Sequence, residues 1–299
     1  MDSESKNGFV STVWGPATWH YLHVMSLAFP NDPTYDERRA YLTFVQSLCN
    51  VLPCRSCREG LVKNLARVPL RSTDLRDRPS FAHWMYRLHD EVNRMLQKET
   101  TLSFVQVCSR HINARVSHLC ITRRQSPPRA RDVGDVGEWT CEAEVVDAIV
   151  EHDETSHRKW NDAFWLFVHC VSFNYPAEPT HLNRVQYQQF FTALIRTTPP
   201  SSTWSRCLRS IVLDPTSNWT ISPGRFENRR VLAEWVYNVH GELVKYFRQM
   251  DPLAPFDAFR DSYERLRANC TGGGRVDKEH GGCVRSARGA PQQCVVNLH

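Results

Sequence analysis

Cys54-Arg-Ser-Cys57 is the one place in this 299-residue chain where two thiols stand three residues apart. Cysteines at that spacing can close a small disulfide and exchange it with an incoming thiol, or supply half of a zinc site. Pro53 breaks the preceding helical pattern and a new one follows, which places the pair at a helix N-terminus. The aligned peptide dipoles there favour a thiolate and make one cysteine a competent nucleophile. Arg55 and Arg58 push in the same direction. Zinc would need two further sulfur or imidazole ligands, and the chain offers neither a second C-x-x-C nor an H-x-x-x-H pair, so no metal is expected. A thioredoxin-like module would need a β-α-β setting, which is also missing from the pattern.

The elements that must hold the pair are helices. Apolar residues fall at helical spacing from Ala17 to about Phe29, and Pro30 ends that run. Asp32-Pro33 reads as the start of a second helix reaching Leu52, with Tyr41, Phe44, Val45 and Leu48 on its buried face. A third helix starts at the Cys54-Cys57 turn and runs toward Ala66. A fourth, capped by Ser80, carries Phe81, Trp84, Met85, Leu88, Val92 and Leu96. Alternating strand patterns are scarce, so the expected class is all-α.

Two ordered clusters recur along the chain. Trp14, Trp19, His23 and Phe29-Pro30 are echoed by Trp160, Trp165, His169 and Tyr175-Pro176 at an offset of 146 residues. Trp84-x-Tyr-x-x-His89 is echoed by Trp235-x-Tyr-x-x-His240 at an offset of 151. Such order implies an internal duplication of one helical unit. The expected organisation is a first domain over 1–122, a linker over 123–140 with no apolar period, a second helical domain over 141–269 and a tail over 270–299. The tail is glycine-rich, poor in large apolar residues and carries Cys270, Cys283 and Cys294. Near the position equivalent to the cysteine pair the second copy has Trp204-Ser-Arg-Cys207, and a lone thiol cannot cycle a dithiol/disulfide couple. Val244 stands where the first copy has Asn93.

Composition excludes more than it selects. Hydrophobic residues at 41% and charged residues at 23% are those of a folded chain, and a net charge of +5 spread along it gives little support to nucleic acid as a partner. No run approaches the ~20 apolar residues that span a bilayer, so no membrane association is expected. The first eight residues show acidic side chains and no apolar stretch, which points to a cytoplasmic protein. Eleven cysteines sit oddly with a reducing compartment and turn attention to redox chemistry. Cys49, Cys141 and Cys170 read as buried free thiols.

Taken together, Trp14-Gly-Pro-Ala-Thr-Trp19-His-Tyr-Leu-His23, Phe29-Pro30, Pro53-Cys54-Arg-Ser-Cys57 and Trp84-Met-Tyr-Arg-Leu-His89-Asp-Glu-Val92-Asn93 with Lys98 resemble the Erv/ALR family of FAD-dependent sulfhydryl oxidases in order and spacing. The resemblance covers Val13 to Gln106. Asp90 stands where that family usually has asparagine, and Phe29 where it often has tyrosine. The resemblance implies a four- or five-helix bundle wrapping FAD, with the cysteine pair against the isoalloxazine. It makes Cys57 the flavin-proximal cysteine and Cys54 the outer one attacked by the substrate thiol. Trp14, Gly15, Trp19, His23, Cys57, His89, Val92, Asn93 and Lys98 match its cofactor-holding positions. The implied partners are protein dithiols and O2, which leaves as hydrogen peroxide. The same resemblance implies a structural disulfide between Cys108 and Cys120 and a shuttle role for the tail cysteines. It implies too that the degenerate copy stands in for the partner subunit of a homodimer, giving an intrachain pseudo-dimer, with a further homodimer left open. Duplicated units of this kind without a visible leader also resemble the oxidases of large DNA viruses.

Overall fold

The computed structural model describes residues 8–113, 157–199, 203–247 and 252–267. The expected linker and tail, with Cys120, Cys141, Cys270, Cys283 and Cys294, lie outside the described residues. The described chain is helical, with only isolated β-bridges besides, so the all-α expectation holds. The first half comprises α1 (Ser11–Leu27), α2 (Tyr35–Val51), α3 (Arg55–Arg67), a 3-10 turn (Ser72–Leu75), α4 (Arg78–Met95) and α5 (Phe104–Asn113). The second comprises α6 (His157–Phe173), α7 (His181–Thr197), α8 (Thr203–Leu213), a 3-10 turn (Pro223–Phe226), α9 (Arg229–Tyr246) and α10 (Phe256–Glu264). No described helix is long and apolar enough to cross a membrane.

Helix starts differ from the sequence reading for local reasons. The second helix is capped by Thr34 rather than by Asp32: the Thr34 hydroxyl accepts from the Glu37 N–H at 3.2 Å while Glu37 Oε2 accepts from the Thr34 N–H at 2.8 Å. That reciprocal pair satisfies two otherwise orphaned donors, which Asp32 is too far upstream to do. The fourth helix is capped by Asp77, whose carboxylate accepts from the Ser80 N–H at 2.8 Å, so Ser80 lies inside the first turn. The first helix begins at Ser11, six residues before Ala17, and contains Pro16. Pro16 deprives Thr12 of an intrahelical donor, and Thr12 is exposed, so water can take that place.

α1 packs on α4 within the first half, and α6 on α9 within the second; the halves meet where α1 lies on α6 and α2 on α7. This joint is aromatic. Tyr21, Phe44, Phe164, Phe167 and Phe190 are each at most 1% exposed. Phe44 stacks on Phe190 with ring centroids 6.0 Å apart, and Tyr21 meets Phe164 edge-on at 5.3 Å. Burying such rings contributes about 1.5–3 kcal/mol apiece, so either half alone would expose a costly face.

Individual bonds recur between the halves at matching positions. The Trp84 indole donates to the Val68 carbonyl at 3.3 Å, and Trp235 to Trp219 at 2.8 Å. Arg78 Nε donates to the Phe29 carbonyl, and Arg229 Nε to that of Tyr175. Ser26 donates to the carbonyl of His23, and Ser172 to that of His169.

If the joint is one core, Phe44→Ala and Phe190→Ala should each cost about 3–5 kcal/mol, and because the rings touch the double variant should cost less than their sum. Urea unfolding of the whole chain measures this. Phe190→Ala melting the second half while leaving the first at wild-type stability would contradict it.

Candidate active site

Cys54 and Cys57 form a disulfide with Cα atoms 5.2 Å apart. Pro53 ends α2, and Cys54 is itself the N-cap of α3: its backbone is extended, and its Sγ accepts the Cys57 N–H at 3.3 Å. A free amide of the helix's first turn thus points at the sulfur that would carry negative charge when the bond opens. Ser56 Oγ lies 3.1 Å from the same sulfur. Of the two arginines expected to favour a thiolate, Arg55 is engaged by Glu59 at 3.1 Å on the surface. Arg58 turns back to the Leu52 carbonyl at 2.6 Å, with its guanidinium buried near Tyr187 of α7. The helix amide, rather than these side chains, is therefore the donor placed on the sulfur. Cys54 is 5% exposed, whereas Cys57 is half-buried.

α1 and α4 bring the aromatic and imidazole groups together. His23 Nε2 and His89 Nδ1 are 2.9 Å apart and share a proton, one donating and the other accepting. Trp19 stacks on His89 with ring centroids 4.0 Å apart and planes 5° from parallel. The spacing from Trp19 to His23 puts both side chains on one face of α1, one turn apart. Lys98 lies close enough to His89 to depress its pKa, and its N–H closes onto the Asn93 carbonyl at 2.9 Å through Gln97, which has φ +56°. Trp19, His89, Val92 and Asn93 are only partly buried, so this face is open to one side.

Two expected residues sit differently from this group. Trp14 is buried, and its indole N–H is committed to the Phe9 carbonyl at 3.3 Å. Gly15 has open space where a Cβ would stand. Cys108 is buried against Leu27 and Ala82, and its expected partner Cys120 lies outside the described residues. Cys49 and Cys170 are buried as expected, and burial pushes the Cys170 thiol up to about 12, leaving it inert. Sequence reading missed His20 and His111, whose rings are 5.1 Å apart, with His111 also 4.7 Å from His23. His20 follows Trp19 directly, but no motif pointed to α5. Among the described residues no group of His, Cys, Asp and Glu could hold a metal ion.

The same arrangement in the second half is closed. His169 Nε2 and His240 Nδ1 are 3.0 Å apart, and Trp165 stacks on His240 at 4.0 Å and 11°. Trp165, His169, His240 and Val244 are all buried. Trp204 of α8 meets Trp165 edge-on at 6.0 Å, and Phe259 and Tyr263 of α10 lie 4.7 and 5.3 Å from His169. Trp165 and His240 are thus buried where Trp19 and His89 are partly exposed. His169 Nδ1 and Trp165 Nε1 are left buried without hydrogen-bond partners.

Burial, and then the neighbouring imidazoles, holds His23 well below the ordinary histidine range and His89 at about 4; burial alone holds His240 at about 3. All are neutral near pH 7. An unfolded histidine protonates near 6.5, so as pH falls below that value the unfolded chain gains protons first and stability is lost progressively toward the folded pKa values. The unfolding midpoint should therefore fall between pH 7 and pH 5, and His240→Gln should flatten that dependence. A pH-independent midpoint over this range would contradict the neutral pairs.

Residues 16–113 match the sequence model of the Erv1 / Alr family. A probable FAD-linked sulfhydryl oxidase of Acanthamoeba polyphaga mimivirus is 34% identical over 80 residues, which is 27% of this chain and 56% of that protein. An FAD-linked sulfhydryl oxidase of Saccharomyces cerevisiae is 32% identical over 85 residues, 28% of this chain and 42% of its own length. One of African swine fever virus (isolate Pig/Kenya/KEN-50/1950) is 29% identical over 86 residues, 29% of this chain and 70% of its own. The chain thus spans about half the length of the first two of these relatives. The match to the Erv1 / Alr family model falls wholly on α1 to α5, the elements that carry the disulfide and the Trp19–His23–His89 group.

Proposed function

We propose that the chain is a sulfhydryl oxidase that forms disulfides in protein dithiols through Cys54–Cys57, with FAD on the α1–α4 face and O2 as final acceptor. The observation that carries this reading is a disulfide at a helix N-terminus in the same bundle as an open, flat, polar and aromatic face. The donor set there fits a flavin: an indole and imidazoles offer planes to stack on, neutral His23 and His89 and the Asn93 amide offer hydrogen bonds, and Lys98 offers charge for a diphosphate. Bound FAD would supply the two-electron acceptor between the dithiol and oxygen. The remaining chemistry belongs to the chain. A substrate thiolate attacks Cys54, the bond to Cys57 breaks and Cys57 leaves as a thiolate. A second substrate thiol then displaces Cys54, whose departing charge is met by the Cys57 N–H.

The second half is, on this reading, a degenerate copy that covers the α1–α2 face of the first as a partner subunit would. The recurring bonds support that reading, as do the unpartnered His169 Nδ1 and Trp165 Nε1, polar atoms kept where no ligand space is left. A shuttle role for the tail cysteines Cys270, Cys283 and Cys294, which lie outside the described residues, belongs to the same proposal. A structural Cys108–Cys120 disulfide belongs to the same proposal.

Cys54→Ala and Cys57→Ala should each reduce oxygen consumption with dithiothreitol to background, because neither sulfur can cycle alone. Turnover near wild type in either variant would overturn the mechanism. Flavin released on denaturation should approach one per chain, since Trp204, Phe259 and Tyr263 close the second site. A colourless protein would favour a redox-inactive scaffold, and a ratio near two would show that the second half opens.

A further inference from the structure

The sulfur that must be attacked is the one the structure covers. Cys54 is 5% exposed, and what lies over its backbone is the extended segment Gly8–Val10. Gly8 forms an antiparallel bridge with Cys54, and the Phe9 N–H donates to the Pro53 carbonyl at 2.7 Å. The approach is so close that a Cβ on Gly8 would lie 2.1 Å from the Pro53 oxygen, and its φ of +80° is a conformation that glycine alone adopts readily. The other edge of the segment belongs to the second half: the Val10 N–H donates to the Leu266 carbonyl at 3.0 Å, and Phe9 is bridged to Arg267.

Arg267 acts as the clasp. Its guanidinium lies 4.7 Å from the centre of the Phe9 ring, donates to the Phe173 carbonyl at 2.7 Å and pairs with Glu264. Phe9 is 1% exposed, and its carbonyl holds the Trp14 indole. Pro53 and Arg55, the chain neighbours of Cys54, cannot withdraw without displacing the disulfide. The Gly8–Val10 segment belongs to neither helix, and its release leaves the Cys54–Cys57 turn covalently intact.

We propose that Gly8–Val10, clasped by Arg267, is a gate that determines which thiols reach Cys54. The inference rests on the thiol-oxidase reading for its purpose. Attack requires the incoming sulfur to approach Cys54 in line with the bond to Cys57, forming the mixed disulfide as Cys57 departs. With the strap seated, Cys54 is 5% exposed, too little for a thiol to reach its sulfur. Release admits the thiol, and the second half, through Arg267, thereby controls chemistry performed by the first. A bulky polypeptide thiol needs the strap fully displaced, and a small thiol needs less, so the gate discriminates by size.

The test uses the full chain and needs neither flavin nor oxygen. Protein reduced with a phosphine under anaerobic conditions is treated with iodoacetamide or with a polyethylene-glycol maleimide, and labelling of the Cys54 peptide is followed by mass spectrometry. Gly8→Ala and Arg267→Gln should each speed Cys54 labelling by about ten-fold or more, with the larger gain for the bulky reagent, as expected when a local opening limits access. Gly8→Ala disturbs the strap without removing any contact of α10, so it remains informative should Arg267→Gln fail to fold. Wild-type labelling rates in a folded Gly8→Ala protein would overturn the gate. Loss of oxygen consumption in wild type together with accelerated labelling in the variants would sink the oxidase reading and leave the gate standing.

Discussion

A disulfide between residues three apart can be opened and closed repeatedly only if the backbone that carries it keeps its shape while the bond is broken. Here that shape is imposed from outside the pair. Pro53 follows the end of one helix, Cys54 caps the next, and the Cys57 amide points at the Cys54 sulfur. Arg58 holds the Leu52 carbonyl just before the turn. The chain therefore spends its hydrogen bonds on the turn, and the sulfurs are left to react.

The two halves use one arrangement for opposite ends. In both, two imidazoles from the first and fourth helices of the bundle bond to each other and an indole lies flat on one of them. The first half keeps the surrounding face open and lined by an amide and an amine. In the second half Trp204 lies against Trp165, Phe259 and Tyr263 lie against His169, and Val244 is buried. An imidazole pair in an open polar face can bind a ligand, whereas the same pair sealed among rings can only pack.

The aromatic joint ties the two halves together. α1 and α2 present Tyr21 and Phe44, and α6 and α7 supply the rings that bury them. The second half also ends beside the active turn, where Leu266 and Arg267 grip the segment lying on Cys54. Structural support and access to the reactive sulfur thus come from the same unit.

The sequence by itself determined the class of fold, the cysteine pair at a helix start and the grouping of Trp19, His23 and His89, because helical spacing fixes which side chains share a face and compound motifs fix order. The repeat of tryptophan and histidine clusters made the matching geometry of the second half legible as well. Cap positions such as Thr34 and Asp77 were misplaced by a few residues, since several polar residues near each start can cap and only the partner side chain or amide selects one. His111, the Gly8–Cys54 bridge and the Arg267 clasp were decided by tertiary structure alone. Each joins segments far apart in the chain, and no local pattern records that the end of the second half returns to lie on the turn of the first.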